Sequence, residues 1–291
     1  MPEFYRTVSR VTWITPDARR TVETWRRFGL DDIEPHGDVQ LNLDHRGRPS
    51  VAKVRRLTGW LGALAIDCLQ PLGGSNPYTE FLSAHGEGIF ALLHEPPTPE
   101  AFNAEIGRMR RLGVSELMRA GEFLYFDTVE GGKYALGLVV PDGQPGGEGR
   151  APVTQFAFVA RDLAAVSKYW ARLGFPEMSV TRPQLRDLTF RGAPASFQQE
   201  LGWQRHGKIA YEWCPPPRGA RTVYQEFLDR HGEGVHHLAF NVDDMDRAIR
   251  EKGLPVVQAG AWGEAGQKGS GRFAYLETGT GVIVELLWSR R

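Results

Sequence analysis

The chain repeats itself. Residues 79–88 read TEFLSAHGEG and residues 225–234 read QEFLDRHGEG, an offset of 146 (231 less 85) between His85 and His231. Each copy follows a strand-like run ending in proline: 65–71, AIDCLQP, and 210–216, AYEWCPP. The halves also begin alike, with VSRVTWITPDARRTVETWRRFG at 8–29 and VTQFAFVARDLAAVSKYWARLG at 153–174. Self-similarity over this length means that one structural plan is built twice. In the second copy Asp162 is placed to cap a helix, Leu163, Val166, Trp170 and Leu173 fall on one helical face, and Gly174 closes it. Between the halves lies PDGQPGGEGRAP, residues 141–152, a Pro/Gly-rich linker or exposed loop. Two modules are therefore predicted, residues 1–140 and 153–291.

Each half divides again. In the second, 236–242 reads as a strand, Asp243 to Lys252 as a helix, and 272–276 and 282–287 as further strands. The first half answers with strands at 88–93, 123–128 and 133–139 and a helix from Pro99 to Leu112. Four strand–helix–strands units in a row define an α+β protein with curved mixed sheets.

Composition narrows the function. Lys+Arg and Asp+Glu both number 35. With no cationic surplus, nucleic acid is excluded as a partner. No apolar run approaches a membrane span, and the first residues lack a signal-peptide pattern. The two cysteines, Cys68 and Cys214, form no paired metal motif. A reducing cytoplasm is the expected location.

The run HGEGVHHLAFNVDD (231–244), preceded by a strand carrying a carboxylate and a proline, resembles methylmalonyl-CoA epimerase, as does the ending GTGVIVELL (279–287). The wider resemblance is to the vicinal-oxygen-chelate superfamily of glyoxalases, bleomycin-resistance proteins and extradiol dioxygenases. It implies two tandem paired βαβββ modules with cupped sheets. It also implies that four strand residues bind one divalent metal; the matching positions are Gln155, Glu212, His237 and Glu285. Gln, Glu, His and Glu in that order resembles the ligand set of glyoxalase I. One ion per chain follows: Zn, Ni, Co, Mn or Fe(II), as suits a borderline-to-hard donor set.

Strand periodicity supports this independently. Side chains two apart share a face. His237, Ala239 and Asn241 form one face of their strand, small and polar enough for a cavity, while His236, Leu238 and Phe240 form the other. Gln155 shares a face with Ala157, and Glu212 with Cys214. Glu285 lies between Ile283 and Leu287, where an isolated carboxylate would be costly to bury and a cation would offset the cost. Ala157, Cys214, Ala239, Asn241, Phe273 and Tyr275 are expected to line the substrate pocket. His85 and His231 recur in both halves, which favours a structural role in the HGEG turn; His236 is read as packing or as supporting His237. The Gly-rich stretch 259–272 is a surface loop or a lid over the cup.

Shifted back by the repeat, the four positions become Arg10, Asp67, Ala91 and Gly137. The frame persists without the ligands, so the N-terminal module is expected to hold no metal, with Arg10 and Asp67 paired instead. For the C-terminal module the resemblance implies an isomerase, epimerase or lyase. A cation polarises a carbonyl, Glu285 removes the adjacent proton with Glu212 as its counterpart, and an enediolate results. Two other classes fit the layout: an Fe(II) extradiol-type dioxygenase, and a non-catalytic small-molecule binder of the resistance type. The expected partner is a carbonyl or vicinal-oxygen compound, an acyl-CoA among the candidates, and a homodimer is among the allowed assemblies.

Overall fold

The computed structural model describes residues 1–141 and 152–290. The linker assigned to 141–152 falls almost wholly outside the described residues. The chain divides into two compact units: Met1–Ala151 with Lys168–Phe175, and Pro152–Ser167 with Pro176–Arg291.

In the first unit, β1 (Arg10–Ile14), α1 (Ala18–Arg26), β2 (Leu30–His45), β3 (Arg48–Leu61) and β4 (Leu64–Pro71) form one βαβββ element. Helix α2 (Pro77–His85) leads to the second: β5 (Gly88–His94), α3 (Pro99–Arg111), β6 (Glu116–Ala120), β7 (Phe123–Phe126), the short α4 (Val129–Gly132) and β8 (Ala135–Val139). The eight strands close into a barrel in the order β1-β4-β3-β2-β6-β7-β8-β5. Its interior is packed with Leu43, Val54, Leu69, Phe90, Leu117, Phe123 and Tyr125 among others.

The second unit follows the same plan. Strand β9 (Val153–Val159), α5 (Leu163–Arg172), the short β10 (Ser179–Thr181), β11 (Leu185–Phe190) and β12 (Ala193–Pro194), then β13 (Leu201–Arg205) and β14 (Ala210–Cys214) come first. Helix α6 (Val223–His231) leads to β15 (Gly234–Asn241), α7 (Met245–Lys252), β16 (Val256–Trp262), β17 (Gly271–Leu276) and β18 (Ile283–Ser289). This sheet has ten strands in the order β10-β13-β14-β9-β15-β18-β17-β16-β11-β12. In every βαβββ element the first and last strands pair in parallel: β1 with β4, β5 with β8, β9 with β14, β15 with β18.

Local chemistry explains the repeated motif. Asn76 and Thr222 cap α2 and α6 by accepting backbone N–H bonds. Gly86 and Gly232 end these helices at φ of 72° and 74°, a conformation that side chains resist. His85 and His231 pack on the ring one turn earlier, Phe81 at 5.1 Å and Phe227 at 4.8 Å. Glu87 accepts from Thr15, Thr21 and Arg20, and Glu233 from the Arg161 backbone, so each HGEG glutamate pins the start of the preceding α1 or α5 segment. Asp162 accepts from Ala165 N as its sequence position implies. The last turns of α5 belong to the first unit, where Trp170 stacks on Tyr134 at 5.0 Å.

The stretch 259–272 is neither a free loop nor wholly irregular. Residues up to Trp262 belong to β16, those from Gly271 to β17, and the two strands pair as a hairpin. Trp262 Nε1 donates to Gly269 O at 3.0 Å across the turn. A Cβ on Gly271 would meet the Trp262 ring at 2.1 Å, so glycine there makes room for the indole.

Candidate metal centre

Four neighbouring strands, β14, β9, β15 and β18, carry the candidate residues. Glu212 lies beside Ala157, Ala157 beside His237, and Glu285 beside Ala239, two residues along β15 from His237. Because residues two apart share a face, this register aims Glu212, His237 and Glu285 at one point. Ala157, between Glu212 and His237, contributes only a methyl group, so both neighbours reach over it.

His237 Nε2 lies 3.3 Å from Glu212 Oε2 and 3.2 Å from Glu285 Oε2. One potential ligand atom from each residue falls within 4.8 Å of the others. All three, Glu212, His237 and Glu285, are buried, at 4%, 0% and 5% exposure. His237 Nε2, Glu212 Oε2, Glu285 Oε2 and Gln155 Oε1 are all buried without a hydrogen-bond partner. The carboxylate oxygens stand within ion-pair range of His237 but off the direction that a hydrogen bond requires. Each such orphan costs about 1–3 kcal/mol when nothing satisfies it. Three converging lone-pair donors, Glu212, His237 and Glu285, fit a divalent cation, which would satisfy them together.

The electrostatics carry the same signature. Burial alone would pull His237 down; its closeness to Glu212 and Glu285 outweighs burial and pushes it up to about 9. Burial raises the Glu212 carboxyl, with His237 opposing and the charge of Glu285 adding. Burial holds the Cys214 thiol and the Tyr224 and Tyr275 hydroxyls far above their usual ranges, so all three stay protonated. Tyr224 and Tyr275 share a hydrogen bond of 2.6 Å, and the Tyr275 ring packs edge-on to His237 at 5.0 Å.

A cavity of about 360 Å³ opens onto the group. Gln155, Glu212 and Glu285 reach it beside Tyr224 and Tyr275. Its apolar lining is Leu185, Phe197, Leu201, Trp203, Trp262, Phe273 and Leu287. Arg205 also lines it, with its guanidinium 4.8 Å from the centre of the Trp203 ring. Gln199, only 3% exposed, donates through Nε2 to Glu200 O and Pro215 O, which fixes the orientation of its amide.

Of the residues expected to line the pocket, Phe273 and Tyr275 do. Ala157, Cys214 and Ala239 do not: each is 0% exposed, too short to reach past its neighbours. Asn241 lies at the exposed end of β15 and lines a separate cleft with Trp288. Much of the wall, from Thr181 to Arg205, comes from β10, β11, β13 and their connections. That segment carries no motif, and its only sequence signal is alternation such as that of Leu201, Trp203 and Arg205.

The first unit keeps the frame in register. Thr12 pairs with Asp67 as Ala157 does with Glu212, Thr12 with Ala91 as Ala157 does with His237, and Leu93 with Gly137 as Ala239 does with Glu285. The expected pair of Arg10 with Asp67 does not form. Arg56, on the strand next to β4, presents its fork to both oxygens of Asp67 at 2.9 and 3.1 Å. Arg10 instead lies over the Phe123 ring at 5.2 Å. The planar guanidinium of Arg56 already saturates the carboxylate.

Paired βαβββ elements whose inner strands gather imidazole and carboxylates on a cavity define the class of vicinal-oxygen-chelate proteins. Residues 154–275, within the C-terminal half, match the family described as the Glyoxalase/Bleomycin resistance protein/Dioxygenase superfamily. A triple mutant of 4-hydroxymandelate synthase from Streptomyces coelicolor superposes with a TM-score of 0.64 at 16% identity, covering 100% of this chain and 94% of that one. A xylose isomerase-like TIM barrel/4-hydroxyphenylpyruvate dioxygenase fusion protein matches 98% of this chain and 49% of its own length, with a TM-score of 0.54 and 14% identity. At these identities the likeness is one of fold. Among the described residues, no helix is long and apolar enough to cross a membrane.

Proposed function

We propose that the C-terminal half is a divalent-metal enzyme that moves a proton next to a carbonyl, as an isomerase, epimerase or lyase does. The observation that supports this reading is the convergence of three unsatisfied, buried donor atoms from Glu212, His237 and Glu285, with the unpartnered Gln155 Oε1 in the wall of the same cavity. These side chains would hold the ion, which when bound supplies a Lewis acid for a carbonyl or for two adjacent oxygens. With His237 neutral, the two carboxylates would balance the charge of a divalent ion, so the carboxylate that exchanges a proton with substrate is one that lets go of the ion. Glu285 is assigned as the base that takes the α-proton, and Glu212, on the other side of His237, as the group that returns one. The aromatic walls exclude water and hold an apolar substrate body, and Arg205 offers a cation to an acidic group. The substrate is a small carbonyl or vicinal-oxygen compound.

Incubating the metal-loaded protein in D2O with 2-oxo acids, 2-hydroxy acids and acyl thioesters tests this by NMR. Deuterium entering the α-position of one class, and failing to enter with Glu285→Gln, is the expected result. Exchange undiminished in that variant contradicts the assignment.

A second reading is an iron-dependent dioxygenase. The fold match to a 4-hydroxymandelate synthase over the full chain favours it. The donor set opposes it, because such sites use two histidines and one carboxylate, whereas this cluster has one histidine and two carboxylates. Oxygen uptake in the Fe(II)-loaded protein would overturn the proton-transfer reading in its favour.

A further inference from the structure

His236 precedes His237 directly, and neighbours on a strand ordinarily point to opposite faces. A register shift between Val235 and His237 in the β9–β15 pairing relaxes that alternation. The two imidazoles meet edge to face at 4.9 Å, with their Nδ1 atoms 2.7 Å apart. Both residues are fully buried.

The first unit shows what packing alone requires there. Phe90 takes the place of His236, within a matching cage: Tyr78 at 6.1 Å, Phe81 at 5.4 Å and Tyr125 at 5.6 Å. Around His236 the cage is Tyr224 at 5.3 Å, Phe227 at 5.0 Å and Tyr275 at 6.2 Å. The register shift is also repeated, between Thr12 and Trp13 opposite β5. A phenyl ring therefore fills this position well. An imidazole does so at a cost, because His236 Nε2 is buried without a well-formed hydrogen bond, the Val223 backbone being the polar group beside the ring. That costly ring occurs in the unit where the next residue is His237, and is replaced by phenylalanine where the next residue is Ala91.

Resting on the metal site proposed above, we propose that His236 is a positioning residue: its Nδ1 accepts the N–H of His237 Nδ1 and so keeps the Nε2 lone pair of His237 turned toward Glu212 and Glu285. A hydrogen bond between two ring nitrogens needs one N–H and one lone pair. When His237 is the donor, its other nitrogen is the one free to bind a cation. Partners of this kind fix the tautomer and ring orientation of metal-binding histidines. The proton of the His236 ring is then on Nε2, and the Val223 backbone is the group that favours a proton on this ring.

Zinc titration of the purified chain by calorimetry tests the assignment. His236→Phe introduces the side chain that the first unit uses in the same cage. It is expected to keep the wild-type circular dichroism and to lose zinc affinity by about 10–100-fold. His236→Asn places an amide oxygen where Nδ1 stood and is expected to recover most of the loss. Independently of either variant, long-range 1H–15N spectra of the zinc-loaded wild type should show His237 protonated at Nδ1 and His236 unprotonated there. Wild-type zinc affinity in His236→Phe, or an unprotonated Nδ1 on His237, overturns the positioning role and leaves the metal site standing. A wild-type chain that binds no zinc, nickel, cobalt, manganese or iron(II) overturns the metal site itself.

Discussion

The two units share a strand frame and differ in what fills it. In the second, Glu212, His237 and Glu285 surround a point that no protein atom satisfies, and a cavity opens beside them. In the first, Asp67 is held by both arms of Arg56, Ala91 and Gly137 offer no ligand, and Thr12 bonds the Tyr125 hydroxyl at 3.0 Å. The tyrosine pair beside each frame survives in both. What all copies retain, including the HGEG turns and the aromatic cages, is therefore what the fold needs. What one copy alone retains is the candidate chemistry. A duplicated chain supplies its own control, and it separates packing from function more sharply than burial does.

Substitutions can break this comparison. The largest effect is expected for Glu285→Gln, which should lower turnover by at least about 10³-fold, about 4 kcal/mol of barrier, while circular dichroism stays that of the wild type. A fully active variant would assign Glu285 to packing. Next is the attempt to rebuild a site in the first unit with Ala91→His and Gly137→Glu. A Cβ at position 137 would stand 2.6 Å from Leu93 Cγ, so the graft should cost about 3 kcal/mol through overpacking and add no second ion. Two metal ions per chain in the grafted protein would show that the first unit lost only its ligands. Smaller is Asp67→Asn, which leaves Arg56 partly buried without its carboxylate. A loss of about 2 kcal/mol in urea unfolding is expected, softened by the exposure of the arginine, with metal binding in the second unit unchanged.

The gentlest test is pH. The folded-state pKa of His237, at about 9, lies above its unfolded value near 6.5. Its contribution in the metal-free protein is thus complete below about pH 6.5 and is lost as pH rises through 9. The slope should approach 1 kcal/mol per pH unit over that window. A cation displaces the same proton, so metal affinity should rise with pH where apo stability falls. Parallel curves for apo and loaded protein would contradict a role for His237 as ligand.

Much of the site is legible in the amino-acid sequence. The repeated segments carry their own alignment, strand periodicity groups His237 with Ala239 and Asn241 on a face suited to a cavity, and the family resemblance points to Gln155, Glu212 and Glu285. The Arg56–Asp67 pair is not legible there, because it depends on which neighbour of β4 carries a cation. That neighbour, β3, pairs with β2 in a long hairpin. The first half of β2, LDDIEPHG, lacks apolar alternation and contains a proline and a glycine, whereas Val39, Leu41 and Leu43 alternate and pack on the core. Pairing with β3 shapes that first half, and propensity does not. The cavity wall between Thr181 and Arg205 is hidden for the same reason: its strands are short and partly exposed, so they write little into the local pattern. Ala157 shows the converse limit. Periodicity places it on the right face, but side-chain length decides whether a residue lines a pocket or lies beneath its neighbours.

Metal analysis bears on all of this most directly. The purified chain, loaded in turn with zinc, nickel, cobalt, manganese and iron(II) and then freed of excess, should retain one equivalent of at least one ion. The triple variant Glu212→Gln, His237→Phe, Glu285→Gln should retain none. A wild-type chain that holds no ion under any of these conditions, or a triple variant that holds as much, would contradict a metal centre on β14, β9, β15 and β18.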